Sequence, residues 1–103
     1  MPRFVLLAHD WPMPHFDLML EADGVLRTWR LPHVPRAGES IDAESIGDHR
    51  LAYLEYEGPV SGGRGNVERV DSGTYSAESL AGAIVKLTLI GTRICGQINL
   101  CTR

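Results

Sequence analysis

Two histidines and an aspartate lie within nine residues near the N-terminus, and together they can bind a divalent metal ion. His15 and Asp17 are two positions apart, so their side chains share one face if residues 16–21 form a strand. His9 precedes them across a segment with two prolines, which indicates a tight loop that can bring His9 back to the pair. Two neutral imidazole nitrogens and one carboxylate suit a first-row divalent cation with coordination positions left open. The alternative is a pair of surface histidines near a turn, and spacing alone does not decide between the two.

Length, composition and charge narrow the class of protein. The 103 residues predict a single domain, residues 1–103, that can form one hydrophobic core. Hydrophobic residues make up 44% and charged residues 22%, which is typical of a soluble globular protein. The net charge of −3 argues against general affinity for nucleic acid, so a nucleic-acid partner would have to be bound locally. The lack of a long apolar run or a signal-peptide pattern predicts a cytoplasmic protein with no membrane partner.

The two cysteines are expected to be reduced thiols. If Cys95 and Cys101 share one strand, they lie about 20 Å apart, which exceeds the reach of a disulfide. Neither cysteine has the spacing of a zinc finger, so free thiols in a reducing compartment are the expected state.

The hydrophobic pattern predicts short strands separated by turns. Residues 3–8 form one apolar run, and residues 16–21 have a period of two. Asp23-Gly24 separates this segment from residues 25–31 and predicts a β-hairpin. Further strands are predicted for residues 50–57, 66–70, 83–90 and 94–100, with a second hairpin turning at residues 91–93.

The remaining segments are predicted to be turns, loops or single helical turns. Residues 41–47 fit either one helical turn or a continued loop. Residues 58–65 contain four glycines and a proline and are predicted to be a flexible connection, and residues 71–73 a turn. Ser76 is predicted to cap a brief helix over residues 77–81. About six to seven short strands with one or two helical turns predict a mostly β fold, a small antiparallel β-barrel or sandwich.

Short motifs along nearly the whole chain form an ordered series. They are His9-Asp10, His15-Phe16-Asp17, residues 20–26 leading to Trp29, Leu31-Pro32, Asp48-His49 with Tyr53, Glu57-Gly58, Gly65-Asn66-Val67, residues 71–75, and Leu87-Thr88-Leu89 with Gly91. In this order they resemble the 3′-phosphoesterase domain found at the N-terminus of bacterial DNA ligase D, the multifunctional end-joining ligase, and in stand-alone relatives. One such motif would be weak evidence, but this many in the family's order are specific. The chain is therefore interpreted as a single 3′-phosphoesterase-like domain.

The resemblance implies a fold, a metal and a reaction. The fold is a compact β-barrel, and His9, His15 and Asp17 would hold a manganese-type divalent metal, with Zn²⁺ or another first-row ion as the alternative. The reaction trims DNA 3′ ends in non-homologous end joining by removing a terminal ribonucleoside and the remaining 3′-phosphate. His49 and Tyr53 match the family's residues at the scissile phosphate and are the implied catalytic pair. DNA 3′ ends are the implied partner, with a DNA ligase or other end-joining proteins as further candidates.

Other residues near these positions are candidates for supporting roles. Asp10 follows the first ligand and Glu21 shares the strand parity of the other two, so both can support the metal ligands. A strand over residues 50–57 would place His49 and Tyr53 on one face. Without the resemblance, this histidine would be read as a backbone cap and this tyrosine as a half-buried strand aromatic.

The chain lacks cations that typical family members have near the site. Trp11-Pro12-Met13-Pro14 replaces an arginine-rich segment, Met19 replaces an arginine, and His33 replaces a lysine. Methionine and proline cannot supply the bidentate contacts that arginine makes to phosphate. His33, Arg64 and Arg69 are therefore the candidate phosphate contacts.

Two functions remain open from the sequence. A metal-dependent phosphoesterase is favoured by the intact metal-ligand set and the His-Tyr pair, and it is the preferred interpretation. A metal-binding module that has lost catalysis and acts in protein or nucleic-acid interaction is favoured by the missing cations. A structural β-domain with incidental histidines is disfavoured by the ordered motifs.

Overall fold

Short β-strands account for most of the chain and close into a barrel. The computed structural model describes residues 1–102. Within that range the strands are β1 (Arg3–His9), β2 (His15–Ala22), β3 (Val25–Leu31), β4 (Ser40–His49), β5 (Gly58–Pro59), β6 (Asn66–Ser76), β7 (Ile84–Gly91) and β8 (Cys95–Thr102). The order β1-β2-β3-β4-β8-β7-β6 closes because β6 also pairs with β1, which gives a seven-stranded barrel over the described part of the chain. The two-residue β5 pairs with the start of β6.

The predicted antiparallel barrel is confirmed, with one exception in strand direction. β4 and β8 run parallel, whereas the other paired strands of residues 1–102 are antiparallel. The helical content is one 3₁₀-helix, Leu51–Leu54, within the same range. No helix in this part of the chain has the length and apolar content needed to cross a membrane.

The β2–β3 hairpin turns at Asp23-Gly24, as the sequence predicts. Asp23 and Gly24 have φ angles of 53° and 80°, as a two-residue type I′ turn requires at both central positions. Ala22 pairs with Val25 next to this turn, and the register continues without a shift along both strands. The turn therefore sets which β2 side chain faces which β3 side chain.

The β7–β8 hairpin is also confirmed, and a buried carboxylate from a third strand holds its turn. Asp71 on β6 is 3% exposed and accepts four backbone N–H bonds of 2.8–3.1 Å. The donors are Ser72, Thr92, Arg93 and Ile94. Four backbone donors satisfy this carboxylate, since charge-assisted bonds to backbone N–H groups are strong.

The turn predicted for residues 71–73 is wrong, because β6 runs through them without interruption. Close packing between strands, and not a turn, requires glycine at position 73. A Cβ at Gly73 would lie 1.9 Å from the carbonyl oxygen of Ile90, so only glycine lets β7 approach this closely.

The strand predicted over residues 50–57 is also wrong. The chain forms the 3₁₀-helix Leu51–Leu54 and then the two-residue strand Gly58–Pro59. The helical turn places Leu54, 6% exposed, against the outside of the barrel, and this burial outweighs the strand propensity of the segment.

Two further segments differ from their sequence pattern. Residues 41–47, for which a helical turn or a loop was expected, belong to β4, where buried Ile41 and Ala43 alternate with exposed Asp42 and Glu44. Residues 77–81 form bends instead of the predicted helix. Ala77 and Leu80 pack against the inner cluster without a helix, and a segment of five residues is too short to form a stable helix by itself.

Side chains alternate between an inner and an outer apolar cluster. The inner cluster fills the barrel with residues from β1 to β4 and β6 to β8, including Phe4, Leu20, Trp29, Leu87 and Leu100. The outer cluster consists of Val5, Leu7, Met19, Leu26, Leu54 and Val67, with Tyr53 and Val60 packed against it. β1 and β2 are buried on both faces for this reason, and their outer face also carries the candidate site.

Candidate metal centre

His9, His15 and Asp17 meet at one end of the outer face of the β1–β2 pair. His9 ends β1 and His15 begins β2, and the two residues are direct partners in the antiparallel register. Asp17 lies two residues after His15, so the strand period returns its side chain to the same face. The ligand atoms of the three residues lie within 4.8 Å of one another. The loop of residues 10–14 folds the chain back, and the antiparallel pairing of β1 with β2 then places His9 beside the other two.

The atoms at the centre of this cluster are buried. Asp17 is 3% exposed and His15 is 8% exposed. Asp17 Oδ2 lies 3.2 Å from His9 Nδ1, and Asp17 Oδ1 lies 3.2 Å from His15 Nε2. Within residues 1–102, neither Asp17 Oδ1 nor His15 Nε2 has a hydrogen-bond partner, because the short contact between them lacks hydrogen-bond geometry. Buried polar atoms are rarely left unpaired, so these two fit a ligand bound between them.

Backbone contacts set the proton positions of both rings. His15 Nδ1 lies 2.7 Å from the carbonyl oxygen of Met13, and His9 Nε2 lies 2.8 Å from that of Arg64. A carbonyl oxygen only accepts, so in each neutral ring these nitrogens carry the hydrogen. The lone pair of His15 Nε2 then points toward Asp17 Oδ1, whereas His9 Nδ1 lies within hydrogen-bond distance, 3.2 Å, of Asp17 Oδ2. The lone pair of His15 Nε2 and the unpaired Asp17 Oδ1 repel each other unless a cation lies between them, and backbone support of both rings is typical of metal-binding histidines. The donor set fits a divalent metal.

The segment that contacts His9 is held against the β1–β2 loop by Asp10. Asp10 Oδ1 accepts a 2.8 Å hydrogen bond from the backbone N–H of Asn66. Gly65 makes this approach possible, since a Cβ there would lie 2.2 Å from Asp10 Oδ1 and 2.6 Å from the Cβ of Trp11. Asp10 thus acts on the neighbouring backbone, which in turn places the carbonyl of Arg64 beside His9.

His49 and Tyr53 lie together near this cluster. Their rings pack edge to face with centroids 5.5 Å apart. His49 is the last residue of β4 and Tyr53 lies on the 3₁₀-helix, so a helical turn, rather than the expected strand parity, makes them neighbours.

A hydrogen-bond chain sets the tautomer of His49. The hydroxyl of Thr28 donates to the carbonyl of Leu26 at 3.0 Å and lies 2.9 Å from His49 Nδ1. A hydroxyl has one hydrogen, so His49 Nδ1–H donates to Thr28. In the neutral ring, His49 Nε2 is therefore the free acceptor.

One cavity of about 220 Å³ connects these groups. The site cavity is lined by His9, Trp11, Asp17, Arg30, Ile46, His49, Tyr53, Val60 and Arg64. A larger cavity of about 630 Å³ lies beside β7 and β8 and shares no residue with it. The site cavity thus combines metal-type donors, a ring nitrogen that can exchange a proton, a phenol and two guanidinium groups.

Arg30 is the site residue that the sequence analysis missed. It lies on β3 directly opposite Asp17 in the register of the β2–β3 hairpin. The signal was present, because the turn at Asp23-Gly24 fixes that register and cross-strand partners share one face of the sheet.

Of the three candidate phosphate contacts, the structure places Arg64 in the site cavity and the other two outside it. Arg64 lines the site cavity, with its Nε donating to the carbonyl of Ser61 at 2.8 Å. His33 lies outside the cavity, and its Nε2 is 2.6 Å from a carboxylate oxygen of Glu39. The pKa of Glu39 is lowered, first by the backbone N–H of Arg36 and then by His33.

Three further residues lie away from the site cavity. Arg69 pairs with Glu57 at 3.6 Å and also donates its backbone N–H to that carboxylate. Glu21, at the far end of β2, accepts the backbone N–H of Arg3 at 2.9 Å. Met19, where typical family members have an arginine, is 1% exposed within the outer cluster.

Comparison with known proteins agrees with this geometry. Residues 7–102 match the DNA Ligase D 3′-phosphoesterase domain family. The chain is 35% identical over 107 residues to the multifunctional non-homologous end joining DNA repair protein LigD of Mycobacterium tuberculosis, covering 94% of this chain and 14% of that protein. It is 29% identical over 108 residues to the corresponding LigD protein of Pseudomonas aeruginosa, covering 95% of this chain and 13% of that protein. The chain thus spans about one seventh of the length of these relatives. It belongs to the DNA ligase D 3′-phosphoesterase domain family.

Proposed function

We propose that this chain is a divalent-metal-dependent phosphoesterase that trims DNA 3′ ends in end repair by removing a 3′-phosphate or a 3′-terminal ribonucleotide. One observation carries the proposal: the ligand atoms of His9, His15 and Asp17 lie within 4.8 Å of one another, and His9 and Asp17 also line the cavity that contains His49 and Tyr53. Family membership supports it, as do relatives named for non-homologous end joining.

The metal would be held by His9, His15 and Asp17, with Mn²⁺ as the proposed ion and Zn²⁺ or another first-row ion as the alternative. When bound, such an ion supplies Lewis-acid stabilisation of a phosphoryl oxygen and lowers the pKa of a coordinated water. The residues themselves orient the ligand atoms, because the carbonyls of Met13 and Arg64 prevent either ring from turning.

His49 and Tyr53 act on the phosphate and the leaving group. Thr28 accepts from His49 Nδ1–H in both protonation states of the ring, so a proton is gained or lost only at Nε2. Protonated Nε2 donates to the departing oxygen as a general acid, without rearrangement of the hydrogen bond behind it. Tyr53, held edge-on against this ring, donates its hydroxyl hydrogen to a non-bridging phosphate oxygen.

Specific observations favour the second candidate, a metal-binding module without catalysis. Met19 is buried where typical family members have an arginine, and His33, at the position of the usual lysine, is engaged with Glu39. A module of this kind would bind metal and a DNA end without hydrolysing the 3′-phosphate.

The test is a Mn²⁺ titration of the wild-type protein and of Asp17→Asn, with a 3′-phosphate DNA primer assayed in the same samples. Asp17→Asn keeps the shape and removes the charged ligand, so we expect a larger loss of Mn²⁺ affinity than the roughly 10- to 100-fold typical of a lost outer hydrogen bond. Phosphate release should fall in parallel. Glu78→Gln removes an exposed carboxylate outside the site cavity and is the matched control.

The outcomes separate the two candidates. Metal binding that Asp17→Asn abolishes, together with phosphate release by the wild type, supports the enzyme. Metal binding without release on any 3′-end substrate supports the non-catalytic module. A wild-type protein that binds no divalent metal contradicts both.

A further inference from the structure

The roles proposed for the metal ligands and for the His49–Tyr53 pair leave Arg30, which lines the same cavity, without a function. It lies between Asp17 on β2 and Glu44 on β4, its direct partners in the strand register. It lines the site cavity and also a second cavity of about 250 Å³ on the side of His15. The guanidinium therefore lies at the boundary of the proposed metal site.

The guanidinium is left with unused hydrogen-bond donors. Arg30 Nε is buried and has no hydrogen-bond partner among residues 1–102. No carboxylate in that range lies within 4.0 Å of its nitrogens, although Asp17 and Glu44 flank it. A buried donor without a partner is costly, so an arginine kept in this state beside two carboxylates fits a group that binds an exogenous anion.

The register of the β2–β3 hairpin also decides how far Arg30 can reach across the outer face of β2. Met19 is paired with Thr28 on the same face, and Arg30 is the next residue of β3 on that face. Diagonal neighbours across an antiparallel pair are about 7–8 Å apart, within reach of an arginine side chain. The guanidinium of Arg30 can therefore reach across β2 beside Asp17.

We propose that Arg30 binds the phosphate group of the substrate, donating to its non-bridging oxygens in the cavity that it shares with His49 and Tyr53. This inference rests on the proposed function, because it names the residue that holds the phosphate of that reaction. The planar guanidinium presents paired N–H donors that match two phosphate oxygens. Arg64, the other arginine of the site cavity, already uses its Nε on the carbonyl of Ser61.

The test measures binding of inorganic phosphate to the Mn²⁺-loaded protein by calorimetry, after the Mn²⁺ affinity has been measured separately. Arg30→Gln should weaken phosphate binding about 10- to 100-fold, the usual effect of losing a charge-assisted hydrogen bond. Its Mn²⁺ affinity should equal or exceed that of the wild type, because a positive charge next to the metal ligands has been removed. The phosphate affinity of Arg30→Lys should lie between those of the wild type and Arg30→Gln, since lysine keeps the charge but not the paired donors.

Arg93→Gln is the matched control. Arg93 is exposed in the β7–β8 turn, and the substitution removes the same charge outside the site cavity. We expect its phosphate affinity to be that of the wild type, and circular dichroism of each variant reports whether the fold is intact.

The results distinguish this inference from the proposed function. Loss of phosphate affinity in Arg30→Gln but not in Arg93→Gln supports Arg30 as the phosphate ligand, even if the wild type releases no phosphate from DNA and the enzymatic proposal fails. Wild-type phosphate affinity in a folded Arg30→Gln variant overturns the inference and leaves the enzymatic proposal standing. A Mn²⁺-loaded wild type that binds no phosphate overturns the inference as well.

Discussion

Replacement of Gly65 by alanine tests whether backbone from a remote part of the sequence controls the proposed metal centre. Gly65 has a φ angle of +76°, and a Cβ there would lie 2.2 Å from Asp10 Oδ1 and 2.6 Å from the Cβ of Trp11. Both distances are far below van der Waals contact, so the segment has to move away from the β1–β2 loop. Arg64 moves with it and withdraws its carbonyl from His9 Nε2, to which it is bonded at 2.8 Å.

The magnitude follows from comparison with a second glycine of the same loop. Gly63 has a φ angle of +68°, and a Cβ there would have nothing within 4 Å. Gly63→Ala therefore carries only the left-handed backbone penalty, about 1–2 kcal/mol in the free energy of unfolding. Gly65→Ala carries the same penalty and a steric conflict of about 1–3 kcal/mol more. Loss of the carbonyl that orients His9 should also weaken Mn²⁺ binding about 10- to 100-fold in Gly65→Ala alone.

Two assays check this prediction. Urea unfolding gives the free energies of unfolding of the wild type, Gly63→Ala and Gly65→Ala, and calorimetry gives their Mn²⁺ affinities at a temperature where all three are folded. Equal decreases in the free energy of unfolding of Gly63→Ala and Gly65→Ala would refute the argument that Gly65 is needed for close approach to the β1–β2 loop. An unchanged Mn²⁺ affinity in Gly65→Ala would refute the role of the Arg64 carbonyl in orienting His9.

Two further predictions concern the stability of the barrel. Asp71→Asn keeps one acceptor oxygen and leaves two buried turn N–H groups unpaired at roughly 1–3 kcal/mol each, so urea unfolding should show a loss of about 2–6 kcal/mol. Asp48→Asn, which breaks only an exposed 3.6 Å pair with Arg27, should cost at most about 1 kcal/mol, and a similar cost for both would contradict the assignment. The pKa of Tyr75 is raised by burial and then by Glu21, so the unfolded chain loses this phenolic proton first, and stability present below about pH 10 falls as the pH rises further. In Tyr75→Phe the urea midpoint should therefore decrease less steeply with pH above about pH 10 than in the wild type. An equally steep decrease in both proteins would refute the contribution of Tyr75.

Local pattern predicted the part of the site that depends on neighbours in the chain. The two-residue spacing of His15 and Asp17 placed them on one face, as β2 does. The turn at Asp23-Gly24 was predicted from residue type alone, and its register carries Arg30 to a position opposite Asp17. The position of Arg30 opposite Asp17 could therefore be predicted from the sequence.

In other segments, the secondary structure depends on burial against distant parts of the chain, which the local sequence pattern does not show. Residues 50–57 have the composition of a strand, yet Leu54 is buried because the outer cluster leaves a place for it beside Val5 and Leu26. Gly73 suggests a turn by its type, yet it lies in a strand because the carbonyl of Ile90 approaches that position from β7.

The sequence by itself determined the residue types that can hold a metal, the strand period that aligns two of them, and the hairpin that places Arg30 beside them. Turn chemistry and side-chain alternation act over a few residues, so they can be read along the chain. Only the tertiary structure decided how His9 is oriented, because the carbonyl that fixes its ring belongs to Arg64, 55 residues away. That contact exists because β6 pairs with β1 to close the barrel, and closure depends on which strand edges remain unpaired once the other strands have assembled.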